Sequence, residues 1–183
     1  MPLGRTHDRI TWWSVPAAGA AVWLVSGAFE AALGAACAYL FAGLMFGGDL
    51  DTHSVQYRRW GLLRWIWLPY RRVAPHRSLF SHGPLVGTLG RLLYLAIVAV
   101  SLGVPGALVF ERLAGVSIDW QAAWQTVSLW CGANISTLIW GLVGLELGAM
   151  SHSLSDWTGS AWKRLVGRRR RRRVQMSGPR LLR

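Results

Sequence analysis

The sequence predicts an all-α polytopic membrane protein with four transmembrane helices, and three observations lead to this prediction. Only 15% of the 183 residues are charged, whereas a typical soluble domain has about 25%. Four long stretches are apolar and almost free of charge, and a helix needs about 20 such residues to cross a bilayer core. The basic residues are crowded into the segments that flank these stretches. The apolar half of the chain is therefore predicted to lie in lipid.

The four predicted spans cover residues 10–29, 31–47, 84–110 and 122–150. The second follows the first so closely that the two should form an antiparallel hairpin, with a tight turn near residues 29–34. Both contain many small residues, such as Ala17, Gly19, Ala31 and Ala35. Because small residues let helices in lipid approach each other closely, these two spans are predicted to pack together.

The distribution of basic residues predicts the orientation of the chain. Of the twenty Lys and Arg residues, only Arg91 and Arg112 fall outside the N-terminal segment, the loop 48–83 and the segment after the fourth span. Cytoplasmic loops carry an excess of Lys and Arg, so both termini and the loop 48–83 are predicted to be cytoplasmic. Residues 1–167 then form one membrane domain, and residues 168–183 form a basic tail that is predicted to be disordered.

Two basic segments are predicted to lie at the inner membrane surface. Residues 60–70 combine tryptophan and leucine with arginine, a composition typical of an interfacial helix. The six-arginine run 168–173 supplies much of the net charge of +12 and could bind nucleic acid. No nucleic-acid-binding module accompanies it, however, and a membrane offers anionic headgroups nearby. Anionic lipid is therefore the partner predicted for the tail, and no protein partner is indicated.

All five histidines fall on the predicted cytoplasmic side, together with four of the aspartates. These residues are His7, His53, His76, His82 and His152, with Asp8, Asp49, Asp51 and Asp156. Imidazole and carboxylate groups are ligands for divalent metal ions. The topology therefore predicts a metal site at the cytoplasmic face, although solvated loops would also hold polar residues.

Two acidic motifs contribute to this prediction. Asp49 and Asp51 follow two glycines, which allow a sharp turn at the end of the second span, and carboxylates two residues apart in a loop can flank a metal. His152 and Asp156 are four residues apart and would share a helical face, either as two ligands or as a ligand and its orienting partner. A solvated loop and a surface pair at a helix end are the alternatives for the two motifs.

The third motif holds two histidines. His76 and His82 are six residues apart and directly precede the third span. This spacing does not place them on one helical face, so a transition from loop to helix would have to bring them together.

These motifs carry a resemblance to a known family. In chain order they are Gly4-Arg5-Thr6-His7-Asp8, Gly48-Asp49-Leu50-Asp51 with Tyr57-Arg58-Arg59-Trp60-Gly61, and His76-Arg77-Ser78-Leu79-Phe80-Ser81-His82-Gly83. Up to the third span, the chain resembles a bacterial family of metal-binding integral membrane proteins of unknown function. The resemblance implies a bacterial inner membrane protein and does not include the arginine tail.

More distantly, the chain resembles the inner-membrane metal-dependent hydrolases associated with the DNA-damage response. That resemblance implies a divalent metal, zinc first with manganese or iron as alternatives, held by His7, Asp49, Asp51, His76, His82, His152 and Asp156. The chain departs from the pattern in two places. His76 and His82 are separated by one extra residue, and Thr52 occupies the position of a family histidine, with His53 one position later.

Three functions are compatible with these features. The first is a metal-dependent hydrolase that acts at the membrane surface on a phosphoester or a lipid headgroup, with no catalytic residue yet identified. The second is a non-catalytic metal-binding protein with a structural or sensing role. The third is an assembly or lipid-anchoring factor that uses the arginine tail and needs no metal. Arg91 and Glu146 are expected within the membrane, either as a packed ion pair or as functional charges.

Overall fold

The computed structural model describes residues 4–75 and 78–176; within them, the side chains of residues 4, 5, 80, 152, 156, 157 and 159–176 are not described. The described residues form α-helices and 3₁₀ turns without any strand. The long helices are α1 (Gly4–Ser26), α2 (Phe29–Met45), α6 (Val86–Ala114), α7 (Trp120–Ala133) and α8 (Ile135–Met176). The short ones are α3 (Val55–Arg59), α4 (Leu68–Val73) and α5 (Leu79–His82), with 3₁₀ turns at Gly48–Asp51 and Gly61–Trp67. The all-α prediction is confirmed.

Helices α1 and α2 form the predicted antiparallel hairpin, with a turn slightly earlier than expected. Gly27 has a φ of +66°, a backbone conformation that glycine adopts without steric cost, and it separates the two helices. The pairing is held near its centre by a 2.6 Å hydrogen bond between the Ser14 and Tyr39 hydroxyls. Ala31, Ala32 and Ala35 are buried, so the small residues of α2 are packing surfaces as predicted.

Helix α8 packs along α2 through two glycines that are four residues apart. A Cβ atom at Gly144 would collide with the carbonyl oxygen of Ala35, and one at Gly148 with that of Tyr39. Residues four apart lie on the same face of a helix, so Gly144 and Gly148 together create a groove for α2. This close contact brings the N-terminal half of α8 against the α1–α2 hairpin.

The four-span prediction is not confirmed. By length and composition, two helices are apolar enough to cross a membrane, at Phe29–Asp51 and Val86–Ala114. Helix α1 is not among them. The predicted fourth span is not one helix: α7 and α8 are bent by 76° at a break, and the pair would make a third span if counted as one.

Asn134 accounts for the break between α7 and α8. Its side-chain amide donates to the carbonyl of Trp130 at 2.8 Å, and its backbone N–H donates to the same oxygen at 3.0 Å. An asparagine side chain that bonds to nearby backbone competes with the helical pattern. The apolar run of residues 122–150 therefore contains a helix end that hydrophobicity alone does not reveal.

The predicted interfacial helix 60–70 is also not continuous. The 3₁₀ turn Gly61–Trp67 and α4 replace it, and Gly61 has a φ of +56°. The segment nevertheless has one buried side and one exposed side, because Trp67 is fully buried while Leu62 is 89% exposed. The Trp67 ring packs against Phe46, Tyr70 and Tyr94, with centroids 5.6 to 5.8 Å apart. This aromatic cluster anchors the loop that follows α2.

Candidate metal centre

His82 is the point at which the predicted ligands meet. It is the last residue of the one-turn helix α5, and its Nε2 lies 3.5 Å from Oδ1 of Asp49. Its other ring nitrogen, Nδ1, lies 4.0 Å from Oδ2 of Asp51. Two carboxylates from the 3₁₀ turn Gly48–Asp51 therefore flank opposite sides of one imidazole. These three residues were all predicted as ligands from the sequence.

The neighbouring Ser81 indicates which ring nitrogen carries the proton. Ser81 is fully buried, and its hydroxyl donates to the carbonyl of Pro75 at 3.1 Å. Its oxygen lies 2.9 Å from Nδ1 of His82. Since two backbone carbonyls can accept the serine proton, that of Pro75 and that of Ser78 at 3.3 Å, we assign the serine oxygen as the acceptor of an N–H from Nδ1. In a neutral imidazole, this leaves the lone pair on Nε2.

The lone pair on Nε2 of His82 faces the carboxylate of Asp49, which is itself a hydrogen-bond acceptor. A carboxylate oxygen of Asp49 at 3.5 Å offers further lone pairs and no hydrogen, so the two groups attract each other only when a proton or a metal ion lies between them. A metal-ligating histidine usually donates its other N–H to a protein oxygen, which is the role of Ser81. The donor chemistry at this point thus fits a divalent metal ion bound by Nε2 and Asp49.

Gly48 makes this approach of loop and histidine feasible. A Cβ atom at Gly48 would lie 2.9 Å from Cδ2 of His82 and 2.9 Å from the Ser81 carbonyl oxygen, which is too close for any other residue without a shift. The turn is closed by Thr52 and Ser54, whose hydroxyls donate to the carbonyl of Asp49 at 3.1 and 2.8 Å. The side chain of Asp51 is fully buried, whereas that of Asp49 is 25% exposed.

Arg91 supports the centre from behind. It is 2% exposed, and its Nη1 donates to the carbonyl of Ser81 at 2.8 Å, so it holds the α5 turn that carries His82. Burial raises the pKa of the nearby Tyr70 phenol, while the Arg91 charge opposes this shift and Asp51 adds to it. Arg71 also donates through Nε to the carbonyl of Asp51 at 3.4 Å.

His7 lies at a second location, on the face of α1 that meets α8. It is 6% exposed, and its Nδ1 lies 2.5 Å from the Ser155 hydroxyl oxygen. Ser155 lies on α8 between His152 and Asp156 in sequence. His7 is therefore held against the helical turn that carries two other predicted ligands.

The remaining predicted ligands lie beyond what the structure describes. His76 falls outside the described residues, and the same holds for the side chains of His152 and Asp156. In the parts that are described, no group of three or more His, Cys, Asp or Glu side chains is arranged to hold a metal ion. Asp49 and Nε2 of His82 face one point, whereas Asp51 faces the other ring nitrogen.

Three polar residues that the sequence left unassigned have other contacts. The ring of His53 packs against that of Tyr57, with centroids 5.1 Å apart. Asp8 forms a bidentate ion pair with Arg59, at 2.9 and 2.5 Å, which ties α1 to α3. Glu146 accepts a hydrogen bond from the backbone N–H of Leu85 at 2.9 Å, which links α8 to the start of α6.

Several residues at the centre could not be identified from the sequence. Ser81 and Ser155 each orient a histidine, yet serines next to polar motifs are common and carry no distinctive signal. Arg91 was identified from the sequence as a functional candidate, since it is a charge early in an apolar span. Its bond to the Ser81 carbonyl depends on tertiary structure and has no signature in the sequence.

Comparison of the sequence with known proteins identifies the family of the chain. A protein from Aquifex aeolicus (strain VF5), described as uncharacterized, is 38% identical over 58 residues, which is 31% of this chain and 40% of that relative. The match thus covers less than half the length of the relative. No solved structure matches the chain. The model of a family described as uncharacterized metal-binding protein (DUF2227) matches residues 2–166. Since this match covers most of the chain, the protein belongs to that family of metal-binding proteins.

Proposed function

We propose that the chain is an integral membrane protein that binds a divalent metal ion between His82 and Asp49, at the cytoplasmic face of the membrane. The observation that carries the proposal is the 3.5 Å approach of Nε2 of His82 to Oδ1 of Asp49. Because the Ser81 oxygen is assigned as the acceptor of the N–H of Nδ1, the lone pair of Nε2 faces Asp49. A cation between the two groups removes the repulsion of their lone pairs.

The other predicted ligands extend this site. Asp51, fully buried 4.0 Å from Nδ1, adds a second carboxylate beside the imidazole and is proposed as a further ligand of the same centre. His76 is proposed to complete the ligand set from the segment before α5. His7, His152 and Asp156 are proposed to bind metal on the α1–α8 face, at or beside the same centre. A set of nitrogen and oxygen donors suits zinc, with manganese or iron as alternatives.

Lipid is the proposed environment of the membrane-spanning helices. Helices α2 and α6 have the length and composition of spans, and α6 exposes residues such as Ile97 and Val100, which are 55% and 64% accessible. We propose that α1 crosses beside α2, with which it packs along its length, and that the bent pair α7–α8 forms the fourth span. Arginine-rich segments then face the cytoplasm, where the tail contacts anionic lipid.

Hydrolysis at the membrane surface is the reaction proposed for this site, with a phosphoester or a lipid headgroup as substrate. A bound divalent ion supplies Lewis-acid activation of water and of a phosphoryl oxygen. A small cleft with room for about one water molecule lies beside His82, lined also by Gly48 and Ser153, and catalytic metal sites keep one position for water. Asp49, at 25% side-chain exposure, faces both the metal position and solvent. The distant resemblance to membrane hydrolases supports this reaction.

A structural role is the second candidate. His82 and Asp49 belong to segments that are separated by more than thirty residues and meet at this point. A metal ion there would clamp the turn after α2 to the start of α6. A centre closed by four protein ligands would favour this role over catalysis.

Elemental analysis of the purified full-length protein tests the proposed metal site. His82→Ala is compared with wild type and with His53→Ala, a matched control because His53 is exposed and its ring packs on Tyr57. Wild type and His53→Ala are expected to retain the metal, and His82→Ala to lose most of it. Equal metal content in all three proteins, or none in wild type, would contradict the proposal. Turnover of generic phosphate esters, abolished in Asp49→Asn, would then separate catalysis from a structural role.

A further inference from the structure

The link between His82 and α6 is only three residues long, and two of these residues are fixed by local chemistry. The carbonyl of Gly83 accepts the N–H of Gly87, in the first turn of α6, at 2.9 Å. Pro84 has its φ fixed by its ring. The backbone of the third residue, Leu85, therefore decides how His82 is placed relative to α6.

Leu85 has a strained backbone. Its φ is +61° and its ψ is −54°, and the N–H of Val86 donates across it to the carbonyl of Pro84 at 2.6 Å. These features define a γ-turn of the rarer, strained hand. Of the residues that the structure describes, Leu85 is the only one other than glycine with a positive φ. Its side chain is 61% exposed, so side-chain packing does little to hold it. Such a backbone persists only where its surroundings impose it.

Glu146 holds this turn from outside. Its Oε1 accepts the backbone N–H of Leu85 at 2.9 Å, and a hydrogen bond to an ionised carboxylate is stronger than one between neutral groups. Glu146 is itself held in place, because it lies between Gly144 and Gly148, the two residues through which α8 packs closely against α2. The carboxylate therefore meets the strained turn from a fixed position.

We propose that Glu146 is a positioning residue for the metal centre. By binding the N–H of Leu85 it keeps the strained turn in place, and the turn keeps Nε2 of His82 close to Asp49. The inference rests on the proposed metal site between these two ligands. Without the carboxylate, Leu85 relaxes to a negative φ, and the segment that carries His82 shifts away from Asp49. A charge within an apolar helix marks a functional candidate, and this role needs no ion pair.

Metal affinity of the full-length protein, measured by chelator competition, tests the inference first. Glu146→Ala removes the acceptor and is expected to weaken binding about tenfold, as for the loss of a hydrogen bond to a charged group. The loss is partial because Arg91 still bonds to the carbonyl of Ser81. Glu146→Gln keeps an oxygen acceptor without the charge and is expected to lose about threefold or less, since a neutral acceptor is weaker.

The comparison of these two variants separates a hydrogen bond from a charge effect. Glu146 and Arg91 line the same small cleft, so removal of the carboxylate also changes the field at the arginine. A loss in Glu146→Gln as large as that in Glu146→Ala would assign the effect to charge and would overturn the inference. Unchanged affinity in Glu146→Ala would overturn it as well.

Substitutions at Leu85 give a readout that a general structural role would not move. Glycine adopts a positive φ without steric cost, so Leu85→Gly removes the strain that Glu146 opposes. In this background Glu146→Ala is expected to change metal affinity by less than about twofold, the usual limit for additive effects. Leu85→Ala is the matched control, because it shortens the side chain but keeps the Cβ atom, and there Glu146→Ala should still weaken binding about tenfold. Equal effects of Glu146→Ala in the two backgrounds contradict the proposed role.

Unfolding of the same proteins in SDS keeps the outcome decisive. Leu85→Gly should change the SDS midpoint more favourably when Glu146 is present than in Glu146→Ala, where the strain has already relaxed. Equal changes overturn the inference even if no metal is found, whereas a wild type without metal contradicts only the proposed function. If Glu146→Ala does not fold, Leu85→Gly is expected to restore folding and Leu85→Ala is not. Failure of Leu85→Gly to do so overturns the inference.

Discussion

The two ends of helix α6 differ sharply in their surroundings. Its first turns are packed, with Thr88 and Arg91 buried at 4% and 2% exposure, and they contact the turn that carries His82. From residue 92 to residue 143, a range that the structure describes throughout, no residue is buried. This stretch includes the rest of α6, all of α7 and the start of α8.

This difference shows which part of the molecule is specified by intramolecular contacts. At the packed end, polar groups are matched with partners, as with Ser81 on the Pro75 carbonyl, and a buried polar group is costly without one. Toward the other end of α6, large apolar side chains such as Val100 and Leu102 are exposed. Exposed apolar surface of this extent marks a site of contact with a membrane or a protein partner. The packed end holds the proposed chemistry, and the apolar end holds the proposed contact with lipid.

The largest expected effect comes from disrupting the α2–α8 contact at the packed end. Gly144→Leu places a side chain against the Ala35 carbonyl, where even a Cβ atom collides. Overpacking against backbone is expected to lower the free energy of unfolding by about 3 kcal/mol or more. Gly141→Leu, on the same helix but facing open space, is the matched control and should be neutral or slightly stabilising, since glycine is a poor helix former. Unfolding in detergent with increasing SDS measures both.

A charge in the middle of α6 tests whether the apolar end lies in lipid. Val100→Lys is expected to reduce membrane integration by about 3 kcal/mol, the cost of lysine at a helix centre. Leu62→Lys, at the packed end and 89% exposed, should integrate normally because its surroundings are polar under the proposal. Glycosylation mapping in membranes provides the measurement. Equal integration of the two variants would show that lipid does not surround α6.

A smaller effect is expected at the turn that meets His82. Gly48→Ala places a methyl group 2.9 Å from Cδ2 of His82, so the histidine must move away from Asp49. Metal affinity is expected to fall about tenfold, equivalent to about 1.4 kcal/mol, while the fold persists. Gly103→Ala in α6, which faces open space, serves as control. Competition titration with a metal chelator measures the affinities. Equal values in both variants would show that Gly48 does not affect metal binding.

The smallest effect is expected for the ion pair between α1 and α3. Asp8 and Arg59 are bidentate, but their side chains are 26% and 32% exposed, and ion pairs of this kind contribute less than about 1 kcal/mol. Asp8→Asn is expected to lower stability within that limit and to leave metal content unchanged. A loss of metal in this variant, measured by elemental analysis, would make Asp8 a ligand after all.

The sequence was sufficient for features that depend on local pattern. The helical class, the α1–α2 hairpin and the meeting of Asp49, Asp51 and His82 follow from apolar length, small residues and polar motifs at span ends. The break at Asn134 was not predicted, because one asparagine barely alters the hydropathy of a long window. The continuous helix predicted for residues 60–70 fails for a similar reason, since Gly61 adopts a positive φ that composition does not reveal.

Other features of the site depend on contacts between distant segments. Gly144 and Gly148 resemble any other glycines in an apolar helix until α2 is placed against them. Likewise, Arg91 was expected either to pair with Glu146 or to be a functional charge, and its bond to the Ser81 carbonyl was not predicted. Backbone carbonyls leave no trace in a sequence, so a charged side chain that binds one cannot be distinguished from one that binds an acid.

X-ray absorption at the metal edge tests the central claim most directly. The account predicts a shell of imidazole nitrogen and carboxylate oxygen without sulfur, although the chain has free cysteines at Cys37 and Cys131. In His82→Ala the imidazole contribution of any remaining metal should fall by one ligand, whereas His53→Ala should match wild type. Sulfur in the shell, or an unchanged imidazole count in His82→Ala, would contradict a metal ion bound between His82 and Asp49.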